Sequence, residues 1–289
     1  MTLSLADRCN VLAQGLLPQH AIARVVHALA RTRAPWLKNA MIGAFVRAYG
    51  VDMSEAAIED PTAYPSFNAF FTRALAPGVR PGADAHDVLA CPVDGAVSQA
   101  GTADGERLLQ AKGHTYTLSA LLAGDAELAA SFCDGAFATL YLAPRDYHRI
   151  HLPIAGKLVQ MVYVPGDLYS VNAATERAIP GLFARNERVI CIFDTAAGPM
   201  AVVLVGALIV GSIETVWHGE VRATPRRITR WRYDHVPMER GAELGRFNVG
   251  STVIVLFARG RVHWNEAVRT GAHVRVGQAL GTFQTATGS

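Results

Sequence analysis

Apolar positions recur at helical spacing through the first quarter of the chain. Ile22, Val25, Val26 and Leu29 fall at i, i+3, i+4 and i+7, one stripe of an amphipathic helix. Leu37, Met41, Ile42, Phe45, Val46 and Tyr49 form a second stripe, which Gly50 ends. Ser66 is placed to cap a third helix over 67–75, with Pro77 as its stop. From about residue 88 the texture changes to short β-branched, apolar runs separated by turn residues. Residues 136–142, 156–164, 188–193, 201–210, 212–217 and 252–257 read as strands. Asp94-Gly95 and Pro165-Gly166-Asp167 read as turns. A short helix over 118–123, capped by Thr117, interrupts them.

This pattern predicts an α+β protein: a helical N-terminal portion, 1–75, packed on a mostly antiparallel β body, 76–289. The N-terminal stripes fit either packing onto the body or docking to a membrane. There is no repeat, low-complexity tract or linker.

Charge sharpens the choice of partners. Residues 1–50 hold Arg8, Arg24, Arg31, Arg33, Lys38 and Arg47 against Asp7 alone, and 222–232 holds five arginines beside Trp231 with no acid. Such surfaces suit an anionic membrane face, or are ordinary solvated faces. The formal charge of +3 does not point to nucleic acid. Hydrophobic residues make up 51% of the chain, which excludes wholesale disorder. The longest uncharged apolar stretch, about 198–213, is shorter than the roughly 20 residues of a spanning helix, and no signal peptide is evident at the start. Cys9, Cys91, Cys133 and Cys191 are widely spaced, so neither a zinc ribbon nor a disulfide framework is indicated.

Three places carry candidate chemistry. Gly250-Ser251-Thr252 sits between apolar residues and is either a turn or a nucleophile. His148 and His151 lie three apart in Tyr147-His148-Arg149-Ile150-His151, as a metal pair, as structural residues, or as acid and base in one pocket. Asp94 stands in an otherwise apolar run as a turn former or as a buried carboxylate that orients a histidine. Ser251, a histidine and Asp94 together satisfy the logic of nucleophile, base and orienter.

Longer motifs narrow these options. They include Tyr49-Gly50-Val51-Asp52-Met53, Phe67-Asn68-Ala69-Phe70-Phe71-Thr72-Arg73 and Gln110-Ala111-Lys112-Gly113-His114. Further on come Pro144-Arg145-Asp146-Tyr147-His148-Arg149-Ile150-His151, Val164-Pro165-Gly166-Asp167-Leu168 and Leu182-Phe183-Ala184-Arg185-Asn186-Glu187-Arg188-Val189. The last are Gly211-Ser212-Ile213-Glu214-Thr215-Val216-Trp217, Gly245-Arg246-Phe247 and Gly250-Ser251-Thr252. Over nearly its whole length the chain resembles the phosphatidylserine decarboxylases, most closely the bacterial membrane-associated form. Val249 stands where the family commonly has leucine before Gly-Ser-Thr.

The resemblance implies self-cleavage between Gly250 and Ser251, giving a β chain, 1–250, and an α chain, 251–289, that stay together as a heterodimer. Ser251 then becomes a covalent pyruvoyl cofactor that forms a Schiff base with phosphatidylserine and yields phosphatidylethanolamine. By the same resemblance Asp94, His151 and Ser251 form the cleavage triad, and His148 serves decarboxylation. No metal is implied. The expected location is peripheral, on the cytoplasmic face of the cell membrane. The competing readings are a Ser-His-Asp lipid hydrolase that stays uncut, a non-catalytic membrane-binding protein, and a decarboxylase of another amine-bearing acid. Against the hydrolase, Val249-Gly250-Ser251-Thr252-Val253 lacks the Gly-x-Ser-x-Gly elbow.

Overall fold

The computed structural model describes residues 19–82, 85–111, 113–207, 212–221, 226–248 and 251–285. Residues 1–18, Lys112, Gly211, Arg222, Val249 and Gly250 lie outside the described residues, as does the Ser251 side chain.

The α+β architecture holds. Helices Gln19–Ala30, Pro35–Tyr49 and Phe67–Phe71 precede a β body built around an eight-stranded sheet. Its order is Thr229–Met238, Gly156–Val164, Arg188–Thr195, Gly198–Val205, Ser251–Phe257, Ala136–Leu142, Gly95–Thr102, His273–Val274. These neighbours all pair antiparallel. Side chains alternate between two faces, and each face has a core. Leu140, Leu142, Met161, Phe193, Leu204, Val253 and Val255 fill one; Leu121, Phe137, Val162, Ile190, Val203, Ile254 and Leu256 fill the other. Burial on both faces is why the central strands read as continuous apolar runs.

A four-stranded sheet, ordered Gly219–Val221, Ile213–Thr215, Glu243–Phe247, Arg149–His151, carries His151. A three-stranded sheet joins Val88–Ala90 and Val262–Trp264 through Ala279–Phe283.

The helical elements have their own core of Ala30, Ile42, Tyr64, Phe67, Phe70 and Phe71. Gly50 closes the second helix in the left-handed conformation, at φ 63°, where a side chain would be strained. Ser66 caps the third by accepting from the Ala69 N–H at 3.2 Å. That helix stops at Phe71 rather than reaching residue 75, because the Thr72 carbonyl turns away to accept from Arg149 Nε at 2.9 Å.

The structure narrows two readings that the sequence leaves open. The stripe Ile22, Val25, Val26, Leu29 is not the packing face of its helix: Ala23 and Ala30 are buried, while Val25 is 60% and Leu29 46% exposed. In the basic segment the tryptophan is half-buried rather than exposed, while Arg226, Arg227, Arg230 and Arg232 are exposed. Its part 229–232 begins the strand Thr229–Met238, which is paired along one side only and alternates Arg230 and Arg232 with half-buried Trp231 and Tyr233, while Arg226 and Arg227 precede the strand. Both aromatics pack on the sheet core, and Arg230 and Arg232 guard an edge against pairing with another chain.

Candidate active site

Ser251 opens the strand Ser251–Phe257, with its Cα opposite Leu142. From Thr252 onward this strand is laddered on both sides, to 137–141 and to 200–205. The strand Ala136–Leu142 runs on into the turn that carries Asp146, Tyr147 and His148. Upstream of the expected cut, the Phe247 N–H donates to the His148 carbonyl at 3.1 Å. Both chain ends that flank 249–250 are therefore tethered to one segment, 142–148.

Asn248 is held from two sides. Its N–H and Nδ2 donate to the Ser212 carbonyl and Oγ at 2.9 and 2.8 Å, and its Oδ1 accepts from Asn68 Nδ2 at 3.0 Å. The polar side chains of the Phe-Asn-Ala and Gly-Ser-Ile motifs thus converge on Asn248, two residues before Gly250.

His148 is fully buried against the Phe71 ring, 4.1 Å between centroids. The Asp146 carbonyl is 2.8 Å from Nδ1, and a carbonyl only accepts, so Nδ1 holds the hydrogen. Nε2 has no partner. Burial pulls its pKa down to about 3, helped by the charge of Arg73. His148 is a neutral imidazole with a bare lone pair. It must take a proton before it can give one.

His151 ends the strand Arg149–His151, and its N–H donates to the Pro92 carbonyl at 2.8 Å, which sets it beside the Asp94 loop. Nδ1 donates to the Gly241 carbonyl at 2.7 Å, and Nε2 accepts from the Tyr147 hydroxyl at 2.9 Å. Burial lowers its pKa against the opposing pull of the Gly241 bond, and the Asp94 charge acts weakly to raise it.

Asp94 and Gly95 are not a tight turn. Gly95 begins the strand Gly95–Thr102, where a Cβ would stand 2.3 Å from the Tyr141 carbonyl oxygen; only glycine allows that approach. Asp94 accepts from Arg80 Nη2 at 2.5 Å, from Arg80 Nε at 3.1 Å and from the Val276 N–H at 2.8 Å. Arg80 also pairs with Glu55 at 2.6 Å, and Glu55 with Arg275 at 2.9 Å. The direct Asp94–His151 hydrogen bond implied by the resemblance is not formed here. Arg80 and Val276 engage the carboxylate, and Tyr147 and Gly241 engage the imidazole.

Arg80 carries no sequence signal of its own, because an arginine in a Pro-rich connection reads as solvated. Yet it holds the carboxylate in a nearly closed pocket. Arg80→Ala leaves Asp94 buried without its cation. It is expected to destabilise the fold by about 3–5 kcal/mol, read as a lower urea midpoint, and to slow chain cutting, whereas Arg80→Lys should recover part of both.

Comparison with known proteins identifies the family. A family model described as phosphatidylserine decarboxylase matches residues 67–282, and a second, described as PSD, matches 9–50. A phosphatidylserine decarboxylase proenzyme of Azotobacter vinelandii is 55% identical over 280 residues, covering 95% of this chain and 98% of the relative. The Delftia acidovorans proenzyme of the same name is 57% identical, covering 96% and 98%. The chain belongs to the phosphatidylserine decarboxylase family. It is by family a decarboxylase made as a proenzyme, and a Pseudomonas aeruginosa proenzyme, 54% identical over 283 residues, fits the same picture. The uncut hydrolase reading finds no support in these comparisons. Among the described residues no group of His, Cys, Asp or Glu is arranged to hold a metal ion.

Proposed function

We propose that this protein cuts itself between Gly250 and Ser251 and then decarboxylates phosphatidylserine to phosphatidylethanolamine. The observation that carries the reading is the double tether: Phe247 on the His148 carbonyl and Ser251 opposite Leu142. It fixes both sides of the expected cut against the segment that supplies the histidines.

In the first stage the Ser251 hydroxyl attacks the Gly250 carbonyl carbon, and the peptide becomes an ester. With Nδ1–H on Gly241, His151 offers its Nε2 lone pair as base. The serine hydroxyl takes the place that Tyr147 holds in the uncut chain. Asp94 contributes negative charge nearby, kept in position by Arg80 and Val276. Elimination then frees the Gly250 carboxylate, and hydrolysis of the resulting dehydroalanine releases ammonia. A pyruvoyl group at 251 suits its surroundings, because the strand behind it is laddered on both sides and the buried Nε2 of His148 lacks a partner. That group supplies an electron sink for the bond to carbon dioxide.

In the second stage the chain's own groups bring a proton to Cα. The lipid arrives with a protonated amine, which must lose a proton to become a nucleophile. With its pKa lowered to about 3, His148 is too weak a base to take that proton, which goes to solvent. Once the substrate's anionic groups lie beside it and favour its protonation, it hands a proton to Cα after carbon dioxide leaves. Intact mass of the purified protein tests the reading. The expected result is two species, 1–250 and 251–289, the smaller lighter than a serine-started peptide by the lost ammonia. A single uncut chain would sink it.

The same reading places the protein peripherally on the cytoplasmic face of an anionic membrane. No helix among the described residues is long and apolar enough to cross one. Val25, Leu29 and Trp36, the last 75% exposed, stand out on the first two helices beside exposed Arg24 and Arg33. This suits apolar insertion with basic flanks. The double variant Leu29→Asp, Trp36→Asp should lose about tenfold or more in flotation with phosphatidylserine vesicles, since each large apolar side chain contributes about 1.5–3 kcal/mol when buried. Chain cutting should be unchanged. Equal flotation would remove these helices from the membrane contact.

A further inference from the structure

We infer that Arg73 is the residue that binds the phosphodiester of the lipid headgroup. The inference rests on the decarboxylase reading and adds a substrate contact to it. Arg73 is 5% exposed. Nη2 donates to the Arg145 carbonyl at 3.0 Å, and the guanidinium lies 5.5 Å from the Phe70 ring centre. Nε and Nη1 have no partner among the described residues. Among the described residues Arg73 forms no ion pair.

A buried cation with unmet N–H groups is a costly arrangement. The acids that feel its charge are committed elsewhere. Asp94 is held by Arg80, Glu55 by Arg80 and Arg275, and Asp146 accepts from the Ala143 N–H at 2.7 Å. The protein keeps a positive charge out of water and provides no anion for it. Burial accordingly lowers the Arg73 pKa, though an arginine remains charged.

The surroundings say which anion belongs there. Arg73 and His148 bond consecutive carbonyls of one turn, those of Arg145 and Asp146, and rest on consecutive rings, Phe70 and Phe71. Both present buried nitrogens without partners. That turn directly follows Leu142, the residue opposite Ser251. A headgroup that reaches position 251 therefore passes this pair. Phosphatidylserine brings two oxyanions, a carboxylate and a phosphodiester. A guanidinium on the carboxylate would stabilise the charge that must leave as carbon dioxide and would slow the reaction. The phosphodiester keeps its charge from substrate to product, so a fixed cation can bind it throughout without opposing the chemistry.

The test uses Arg73→Lys, Arg73→Gln and Arg73→Met in the full chain. Cutting into 1–250 and 251–289 reports the fold without any lipid. The expected result is a cut protein whose KM for dispersed short-chain phosphatidylserine rises about 10–100-fold with kcat changed far less, lysine being mildest. Binding of short-chain phosphatidylethanolamine, which has the phosphodiester but no carboxylate, should weaken by a similar factor. Weakened phosphatidylserine handling with unchanged phosphatidylethanolamine binding would assign Arg73 to the carboxylate and overturn the inference. So would a wild-type KM, or failure of all three variants to cut, which would make Arg73 a folding residue. A cut wild type that releases no carbon dioxide from phosphatidylserine would instead overturn the decarboxylase reading. Phosphatidylethanolamine binding by wild type against Arg73→Gln would still decide the anion site.

Discussion

Ser251→Ala is expected to run as one uncut chain of about 31.0 kDa and to release no measurable carbon dioxide from phosphatidylserine. Two losses have one cause. Without the hydroxyl nothing attacks the Gly250 carbonyl, and without the cut no ketone forms at position 251. The fold should survive, because Ser251 sits at the end of its strand, and Val253–Phe257, buried on both faces, hold that strand in place. A cut Ser251→Ala chain would move the nucleophile elsewhere. An uncut chain with full activity would separate the chemistry from the cut altogether. Intact mass and carbon dioxide release, measured on one preparation, distinguish these outcomes.

The second large effect separates the histidines. His148→Ala should still be cut, yet lose about 10²–10⁴-fold in kcat, the usual contribution of a positioned proton-transfer group. His151→Ala should remain uncut. If His148→Ala also fails to cut, the assignments are reversed. The pH behaviour of the wild type follows from burial. The folded His148 pKa of about 3 lies below its ordinary value of about 6.5. Between these values the unfolded chain binds the proton and the folded one does not. This group's contribution to stability is therefore complete above about pH 6.5 and drains away as pH falls toward 3. In the resting enzyme His148 should produce no acid limb near pH 6.5 in kcat/KM.

The sequence made some of this legible and concealed the rest for physical reasons. Strands buried on both faces announced themselves as apolar runs, so 136–142, 156–164 and 252–257 could be read directly. The strand Thr229–Met238 could not, because an edge strand exposes half its residues and its arginines imitate a surface loop. The stripe on the first helix was visible, but periodicity says only that a face is apolar, not which neighbour it meets. Ser251, His148, His151 and Asp94 stand out by residue type and the family motifs give them separate roles, and the structure sets the side chains of His148, His151 and Asp94 around one turn and one loop. Arg80 and Arg73 were invisible as functional residues. Burial alone makes an arginine remarkable in physical terms, and burial is a property of the fold rather than of local spacing.

The position of the strand Ser251–Phe257, fifth of eight and laddered on both edges, bears on how the molecule ages. Before the cut, refolding is a first-order event within one chain. After the proposed cut between Gly250 and Ser251, the middle of the sheet would belong to a 39-residue peptide with no covalent tie to its neighbours. Once lost, that peptide would have to be found again by diffusion, and the 1–250 chain left behind would have an open gap with two unsatisfied strand edges. Recovery would then depend on concentration and compete with aggregation. A protein cut there would be protected by the slowness of its opening rather than by any ability to reassemble.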